Sequence, residues 1–195
     1  MDENFKESDI KYFFGHGGDW KGVVKYFVYK KEYFNKHYID SLKLFLESEV
    51  NDAEFGIIIY NVDYNKYPKN IIKSERITGT CEKGKKYCTI DISRFKIKIP
   101  SEGICIGLRW LELEKNEHQY NSHYRTNTKK RIIQTSIQPN FGAIPSTIMD
   151  TWILREKKWE KTKKSKSILK KYDNKYLSLA IHLEMHEGTP CVKNS

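Results

Sequence analysis

One stretch of the chain, Tyr87–Glu112, constrains the fold more than any other. Apolar side chains recur in it at every second position, in the three runs Cys88–Ile92, Phe95–Ile99 and Ile104–Trp110. Successive side chains of a strand point to opposite faces, so this spacing predicts three strands, each with one buried and one exposed face. Pro100–Gly103 supplies turn chemistry between the last two runs. The stretch therefore predicts the middle of an antiparallel β-sheet.

Apolar patterning predicts strands along most of the remaining chain. Phe55–Tyr60 is a continuous apolar run, which is typical of a central strand buried on both faces. Other strands are expected at Asp9–Gly15, Gly22–Lys30, Tyr38–Val50, Ile71–Thr78, Ile132–Ile137, Thr151–Trp159 and Tyr176–Met185. Loops are expected at Tyr64–Asn70, Glu112–Lys130, Pro139–Pro145 and Lys161–Lys171. If Thr151–Trp159 is a regular strand, Trp152 and Trp159 fall on opposite faces.

Length and composition favour one all-β domain. The chain has 195 residues, and its 13 Tyr, 9 Phe and 4 Trp suit strands better than helices. A chain of this length buries roughly 70% of its unfolded surface, so it needs neither a metal nor a disulfide for stability. We therefore expect a two-sheet antiparallel β-sandwich, jelly-roll-like in arrangement, over residues 1–195, with loose tails at 1–8 and 187–195.

The chain is basic, with a formal net charge of +10. This charge attracts nucleic acid, anionic lipid or an acidic polymer at low salt, although a coding sequence poor in G and C would also enrich a chain in Lys. No run approaches the ~18 apolar residues of a transmembrane helix. The N-terminus is acidic and polar, whereas a secretory signal is basic and then apolar. The sequence predicts no membrane span and specifies neither compartment nor oligomeric state.

Two of the four cysteines, Cys81 and Cys88, flank a short polar segment that resembles a hairpin tip. If they face each other across two strands, a disulfide between them would contribute about 2–3 kcal/mol. The alternative is a pair of reduced structural thiols, as expected for Cys105 inside its apolar strand. No CxxC pair is present, which argues against a zinc ribbon.

Motifs for catalysis and metal binding are lacking. The sequence has no G-x-S-x-G elbow and no HExxH. His182 and His186 are four residues apart, a spacing that suits two metal ligands on a helix, but the first of them lies in an alternating strand. We expect no cofactor and no metal. An enzyme with an unrecognised site is a less favoured alternative to a binding protein.

Side chains that suit a carbohydrate ligand are concentrated in Glu112–Lys130. Aromatic rings cover the apolar faces of sugar rings, and Asn, Arg or His bind the hydroxyl groups. The candidate ligand-binding residues are Trp20, Arg109, His118, Tyr120, His123, Tyr124 and Arg125. The alternatives are that Trp20 anchors its glycine-rich loop and that the other rings pack onto the edge of the sandwich.

The basic run Lys161–Lys171 offers a second candidate surface. Its cations are Lys161, Lys163, Lys164, Lys166, Lys170 and Lys171. Such a run is usually a solvated hairpin loop, but it also suits the phosphate backbone of a nucleic acid.

Three strand segments resemble a family of bacterial β-sandwich domains that often follow a carboxypeptidase-regulatory-like domain in exported, surface-associated proteins. The segments are Phe55–Val62 with Pro68 after it, Thr89–Ile97, and Ile106–Glu112, and Trp159 after Arg155 also fits. The resemblance implies a jelly-roll-like fold, no catalytic residues, and an adhesive or glycan-binding role in the periplasm or at the cell surface.

The chain departs from the pattern of that family at two positions. The family tends to have Arg where Gly56 stands and Glu where Arg109 stands. If those residues pair in other members, this chain has lost the pair, and Arg109 then requires water, another carboxylate or a ligand. The resemblance therefore implies a non-catalytic binding or accessory module for carbohydrate or a cell-surface polymer, with nucleic acid as the alternative ligand.

Overall fold

The computed structural model describes residues 5–17, 19–72, 75–122, 132–166 and 172–187. These parts of the chain form antiparallel strands joined by turns and short 3-10 segments, without an α-helix, and none of their elements is a helix capable of crossing a membrane. In chain order the strands are β1 (Tyr12–Phe14), β2 (Trp20–Phe27), β3 (Lys36–Ser48), β4 (Ala53–Val62), β5 (Pro68–Ile71), β6 (Ile77–Cys81), β7 (Gly84–Asp91), β8 (Ile104–Trp110), β9 (Glu117–Ser122), β10 (Ile132–Ile137), β11 (Asn140–Ser146), β12 (Thr151–Arg155), β13 (Lys158–Lys161), β14 (Tyr176–Leu179) and β15 (Ile181–Glu187).

The first sheet, sheet A, contains β1, β3, β7, β11, β14 and β15. β7 pairs with one side of β3, and β15 pairs with the other. β14 pairs with β11, so the late segment β14–β15 lies between β11 and β3. Ala180 joins both neighbours: its N–H donates to the Gly142 carbonyl at 2.8 Å, and its carbonyl accepts from the Phe45 N–H at 3.4 Å.

The second sheet, sheet B, has the strand order β13-β12-β2-β8-β4, with β5 and β6 both paired to the far side of β4. Its inner face packs on sheet A and forms the main core. This core takes side chains from both sheets, among them Leu44, Phe55, Leu108, Phe141 and Ile181. The expected two-sheet antiparallel β-sandwich is confirmed.

A second apolar cluster covers part of the outer face of sheet B. Val24, Cys105 and Trp152 are almost fully buried there, and Tyr60 is 8% exposed. The half-buried ring of Trp159 lies across that of Tyr60, with 5.4 Å between centroids. Strands β4 and β8 are therefore buried on both faces over part of their length, as the continuous apolar run in β4 predicts.

The stretch Tyr87–Glu112 does not lie in one sheet, so that prediction is wrong. β7 belongs to sheet A and β8 to sheet B, and the chain crosses the edge of the sandwich between them. The expected middle strand is a 3-10 turn at Ser93–Phe95, followed by Lys96 at φ 47°, in the left-handed region. Phe95, Ile97 and Ile99 are buried all the same, because a crossing segment can fill the core without joining a ladder.

Three predicted loops and one predicted strand are also wrong. Tyr64–Asn70 contains most of β5 (Pro68–Ile71). Glu112–Lys130 contains β9, which pairs with β10 to form a separate two-stranded sheet, the β9–β10 arm. Pro139–Pro145 contains most of β11, whose small residues fit close to neighbouring strands. Thr151–Trp159 is a hairpin that turns at Glu156 (φ 50°), which brings Trp152 and Trp159 into the same outer cluster.

The predicted hairpin between Cys81 and Cys88 is replaced by a crossing between sheets. β6 pairs with β4 in sheet B, and β7 pairs with β3 in sheet A, so the two cysteines are not ladder partners. Both are free thiols in the structure. Burial raises the pKa of Cys81 to about 11, which keeps it protonated at neutral pH. In the predicted N-terminal tail, Phe5 stacks on Tyr87 at 5.9 Å.

Candidate functional site

The outer face of sheet B carries a groove of about 550 Å³ next to the outer apolar cluster. We call it the Arg109 groove and define it by Gly56, Ile58, Ile71, Arg76, Arg109 and Leu111. Its floor is formed by the middle of β4 and the end of β8, and residues following β8 form one wall. Lys21 and Glu112 lie at its rim. Ligand pockets in proteins have volumes of about 300–1,000 Å³, so a small molecule or a unit of a polymer would fit.

Arg109 lies on β8 between two glycines on the neighbouring strands. Gly22 of β2 and Gly56 of β4 are its direct cross-strand partners. A Cβ atom on Gly22 would lie 3.1 Å from Cγ of Arg109 and 2.8 Å from the Leu108 carbonyl oxygen. The stem of Arg109 therefore passes over Gly22. Gly56 and Arg109, which the sequence analysis named together, thus lie side by side in the ladder.

The guanidinium of Arg109 is exposed and has no ion pair or hydrogen bond with any residue that the structure describes. Burial raises the pKa of the Tyr60 phenol, and the positive charge of Arg109 acts in the opposite direction. Arg109 thus presents five N–H donors and a fixed positive charge to an open groove.

The other charged groups of the groove are partly paired. Lys21 Nζ donates to Glu112 Oε1 at 2.5 Å, and Arg76 lies 3.7 Å from Glu54. The pKa of Glu112 is lowered, chiefly by its hydrogen bond with Lys21. Glu75 also lines the groove. The lining thus holds three cations and two carboxylates, and Arg109 is the cation with the least compensation.

His16 supports the rim from behind. Its Nε2 lies 3.6 Å from Oε1 of Glu112, and its ring meets the Trp110 ring edge-on at 5.9 Å. Burial lowers the pKa of His16, while Glu112 acts to raise it. Trp110 is fixed in turn, because its indole N–H donates to the Pro139 carbonyl at 2.9 Å. These contacts connect Glu112, at the rim of the groove, to the buried end of the sandwich.

Two of the sequence-predicted aromatic residues form a pair on the β9–β10 arm. His118 and Tyr120 lie on one face of β9, with their rings 6.3 Å apart and 8° from parallel. The Tyr120 hydroxyl donates to Gln134 Oε1 at 3.0 Å, which holds a ring that is 43% exposed. His123, Tyr124 and Arg125 lie outside the described residues.

Trp20 is half-buried and packs against the main core, as the anchoring interpretation expects. It directly precedes Lys21 at the rim of the groove. The structure therefore places Arg109 in the groove, Trp20 beside the groove and His118 with Tyr120 on the arm.

The described lysines of the basic run begin at the last residue of β13, the outermost strand of sheet B, and continue along the segment that follows it. Lys161 lies over the Tyr67 ring at 5.4 Å, and Lys164 lies over Tyr176 at 5.5 Å. Lys163 and Lys166 are exposed. Lys170 and Lys171 lie outside the described residues.

The residues that sequence reasoning missed are mostly small or apolar: Gly22, Gly56, Ile58 and Leu111. A glycine inside a strand pattern signals close approach of another group, and both glycines stand in apolar strands. That signal marks the positions but does not show that they flank the same arginine.

Comparison with protein-family models, curated proteins and solved structures found no match. The resemblance to bacterial surface-associated domains accordingly stays a prediction. The proposals below rest on the geometry of the described residues.

Proposed function

We propose that this protein is a non-catalytic binding module for a carbohydrate or a cell-surface polymer, and that the ligand lies in the Arg109 groove. The observation that carries the proposal is an open groove whose floor holds, between two glycines, a guanidinium without an ion pair in the part of the chain that the structure describes. The half-buried side chains of Ile58 and Leu111 offer apolar surface for a sugar ring. Arg109 offers donors for ring substituents.

The family resemblance supports the same role. Domains of that kind accompany exported surface proteins, which suggests a periplasmic or cell-surface location for this chain. The arm supplies further contact surface, because the exposed ring of Tyr120 and the neighbouring ring of His118 suit stacking against sugar. A polymer, unlike a single sugar, would reach both the groove and the arm.

A glycan array with a variant that fills the groove tests the proposal. A Cβ on Gly56 would meet Arg109 Cβ and Leu111 Cδ2 at 3.6 Å, an ordinary contact, so Gly56→Val should fold. Its branched side chain would occupy the floor, and we expect polymer binding to fall at least tenfold. Thr89→Val, on the exposed side of β7 in the other sheet, is the matched control.

The array result separates the groove from the rest of the surface. Binding that survives in Gly56→Val but is lost in Tyr120→Ala would move the site to the arm and contradict the groove assignment. Absence of binding to any glycan or cell-wall fraction by the wild-type chain would refute the proposed function.

Nucleic acid is the second candidate ligand. The observation that favours it is the mixture of lysines and rings at the edge of sheet B, where Lys161 lies over Tyr67 next to Trp159. Cations that neutralise phosphates together with stacking rings are typical of single-stranded nucleic-acid binders. Binding of single-stranded RNA at physiological salt that weakens steeply with added salt, and weakens in Lys163→Gln/Lys166→Gln, would favour this function over the first.

A further inference from the structure

The lining of the Arg109 groove favours an anionic ligand, which a general carbohydrate site does not require. A neutral sugar is held by mixed donors and acceptors, whereas this floor presents only a fixed cation with five donors. Lys21 and Arg76 are occupied by Glu112 and Glu54, so their charges are largely compensated. The lining holds three cations and the two carboxylates Glu75 and Glu112, and Arg109 is the lining cation without an ion pair among the described residues, so it is free to take one negative charge.

The strands beside Arg109 confine the stem of its side chain. The stem lies over Gly22, where even a methyl group would overlap the strand. On the other side, Gly56 leaves the space next to Arg109 free for a ligand. An arginine whose stem is fixed loses little side-chain entropy when it forms two parallel hydrogen bonds.

The apolar wall strengthens any such contact. Ile58, Ile71 and Leu111 border the groove, so a group bound against Arg109 is partly shielded from water. Charge-assisted hydrogen bonds are stronger in a medium of lower polarity. We propose that the Arg109 groove binds a singly charged oxyanion of an acidic polysaccharide, with Arg109 donating both hydrogen bonds and the sugar ring packing against Ile58 and Leu111. This inference rests on the proposed function and narrows its ligand class.

Two sources would supply this chemistry, the carboxylate of a uronic acid and the phosphodiester of a sugar-phosphate chain. The full chain is therefore titrated with polygalacturonate, with polyribitol phosphate and with neutral dextran, and binding is followed by calorimetry over a range of salt concentrations. We expect one of the two acidic polymers to bind and dextran to bind far more weakly. The polymer that binds identifies the anion.

Variants of Arg109 test its role directly. Arg109→Gln should weaken binding of the acidic polymer about ten- to a hundredfold, the range for a hydrogen bond to a charged group. Arg109→Lys keeps the charge but lacks the planar guanidinium that donates two parallel hydrogen bonds. Its affinity should therefore lie between those of the wild type and of Arg109→Gln. Arg94→Gln removes the same charge from an exposed arginine in the 3-10 turn and should bind as the wild type does.

The outcomes separate this inference from the proposed function. Equal binding of dextran and acidic polymers, with no loss in Arg109→Gln, overturns the inference and leaves the binding module intact. Equal losses in Arg94→Gln and Arg109→Gln also overturn it, because they would reflect net charge alone. Failure of the wild-type chain to bind any of the three polymers counts against both.

Discussion

Gly22 and Gly56 stand on either side of the same arginine, but the space above them differs. A Cβ on Gly22 would lie 2.8 Å from a backbone oxygen, whereas a Cβ on Gly56 would make only ordinary contacts at 3.6 Å. The two positions thus give a matched pair for the same substitution. One glycine is required by packing, and the other leaves a groove open.

We predict that Gly22→Ala lowers the free energy of unfolding by about 1–3 kcal/mol, the usual cost of overpacking. Gly56→Ala should be neutral or stabilising by about 0.5–1 kcal/mol, because glycine is a poor strand residue. Urea denaturation of both variants measures this difference. Equal stability of the two variants would show that β8 shifts freely to accommodate a side chain on β2.

His16 makes stability depend on pH in a defined direction. Its folded-state pKa lies below the ordinary value of 6.5, chiefly because of burial, so the unfolded chain binds the proton more readily. The contribution of neutral, buried His16 to the free energy of unfolding is fully present above pH 6.5 and is lost as the pH falls below that value. The effect of Glu112, whose pKa is lowered from 4.5, lies in a separate and more acidic range.

The prediction is that the melting temperature falls between pH 7 and pH 5 in the wild-type chain and falls less in His16→Gln. Calorimetric scans across this range measure both slopes. Parallel curves for the two proteins would mean that His16 does not titrate differently in the folded and unfolded states. His118→Gln, on the arm, serves as the control histidine substitution.

At the scale of elements, Asn116 anchors the β9–β10 arm to the sandwich, in addition to Ile137 of β10 in the main core. Isolated two-stranded hairpins are marginally stable in water, so the arm needs an anchor. Asn116, fully buried just before β9, accepts from the Glu54 N–H at 2.8 Å and donates to the carbonyls of Glu54 (2.7 Å) and Leu111 (2.8 Å). It connects the arm to β4 and to the wall of the groove.

Asn116→Ala is expected to lower the free energy of unfolding by about 2–4 kcal/mol, because buried backbone groups lose their partners. Polymer binding should weaken as well, since Leu111 is no longer held. Chemical denaturation and the calorimetric titration measure the two effects. Asn121→Ala, an exposed position on the same arm, should change stability by less than about 0.5 kcal/mol.

Local sequence patterns predicted the positions of single strands better than they predicted which strands pair with each other. The alternation Ile104–Trp110 predicted β8, and the continuous run Phe55–Tyr60 predicted burial of β4 on both faces. Phe95–Ile99 alternates equally well but forms no strand, since its side chains fill the core while the backbone crosses between sheets. The arm was missed because β9 is polar on both sides and packs on no core.

The site was less predictable than the fold. Arg109 was identified as an unusual cation in an apolar strand, and it lies in the groove. Its cross-strand neighbours, Gly22 and Gly56, come from strands far away in sequence. Only the pairing of β2 with β8 and of β8 with β4 places them beside Arg109. Such juxtapositions are not encoded in local periodicity.

At the scale of the whole molecule, sheet B couples two apolar clusters. β8 contributes Leu108 to the main core and Cys105 to the outer cluster. Loss of either cluster would leave large apolar surfaces exposed. This arrangement supports the expectation of a single domain.

We predict one cooperative unfolding transition with equal calorimetric and van't Hoff enthalpies. Tryptophan fluorescence, which reports on Trp110 in the main core and Trp152 in the outer cluster, should share its midpoint with circular dichroism. Two separated transitions would indicate that the clusters unfold independently. Asn116→Ala should keep a single transition at a lower temperature.

The position of β14–β15 between β11 and β3 has a consequence for how fast the protein folds. The ladder joins Leu44 to Ile181, so sheet A closes only after most of the chain has been made and ordered. Contacts between such distant segments carry a large entropic barrier, which slows folding. β3 and β11 pair directly only at Asn140 and Phe141, so until the late segment arrives the rest of their facing edges is unpaired and prone to aggregation. Folding yield in a cell would therefore depend on how quickly that last segment is delivered.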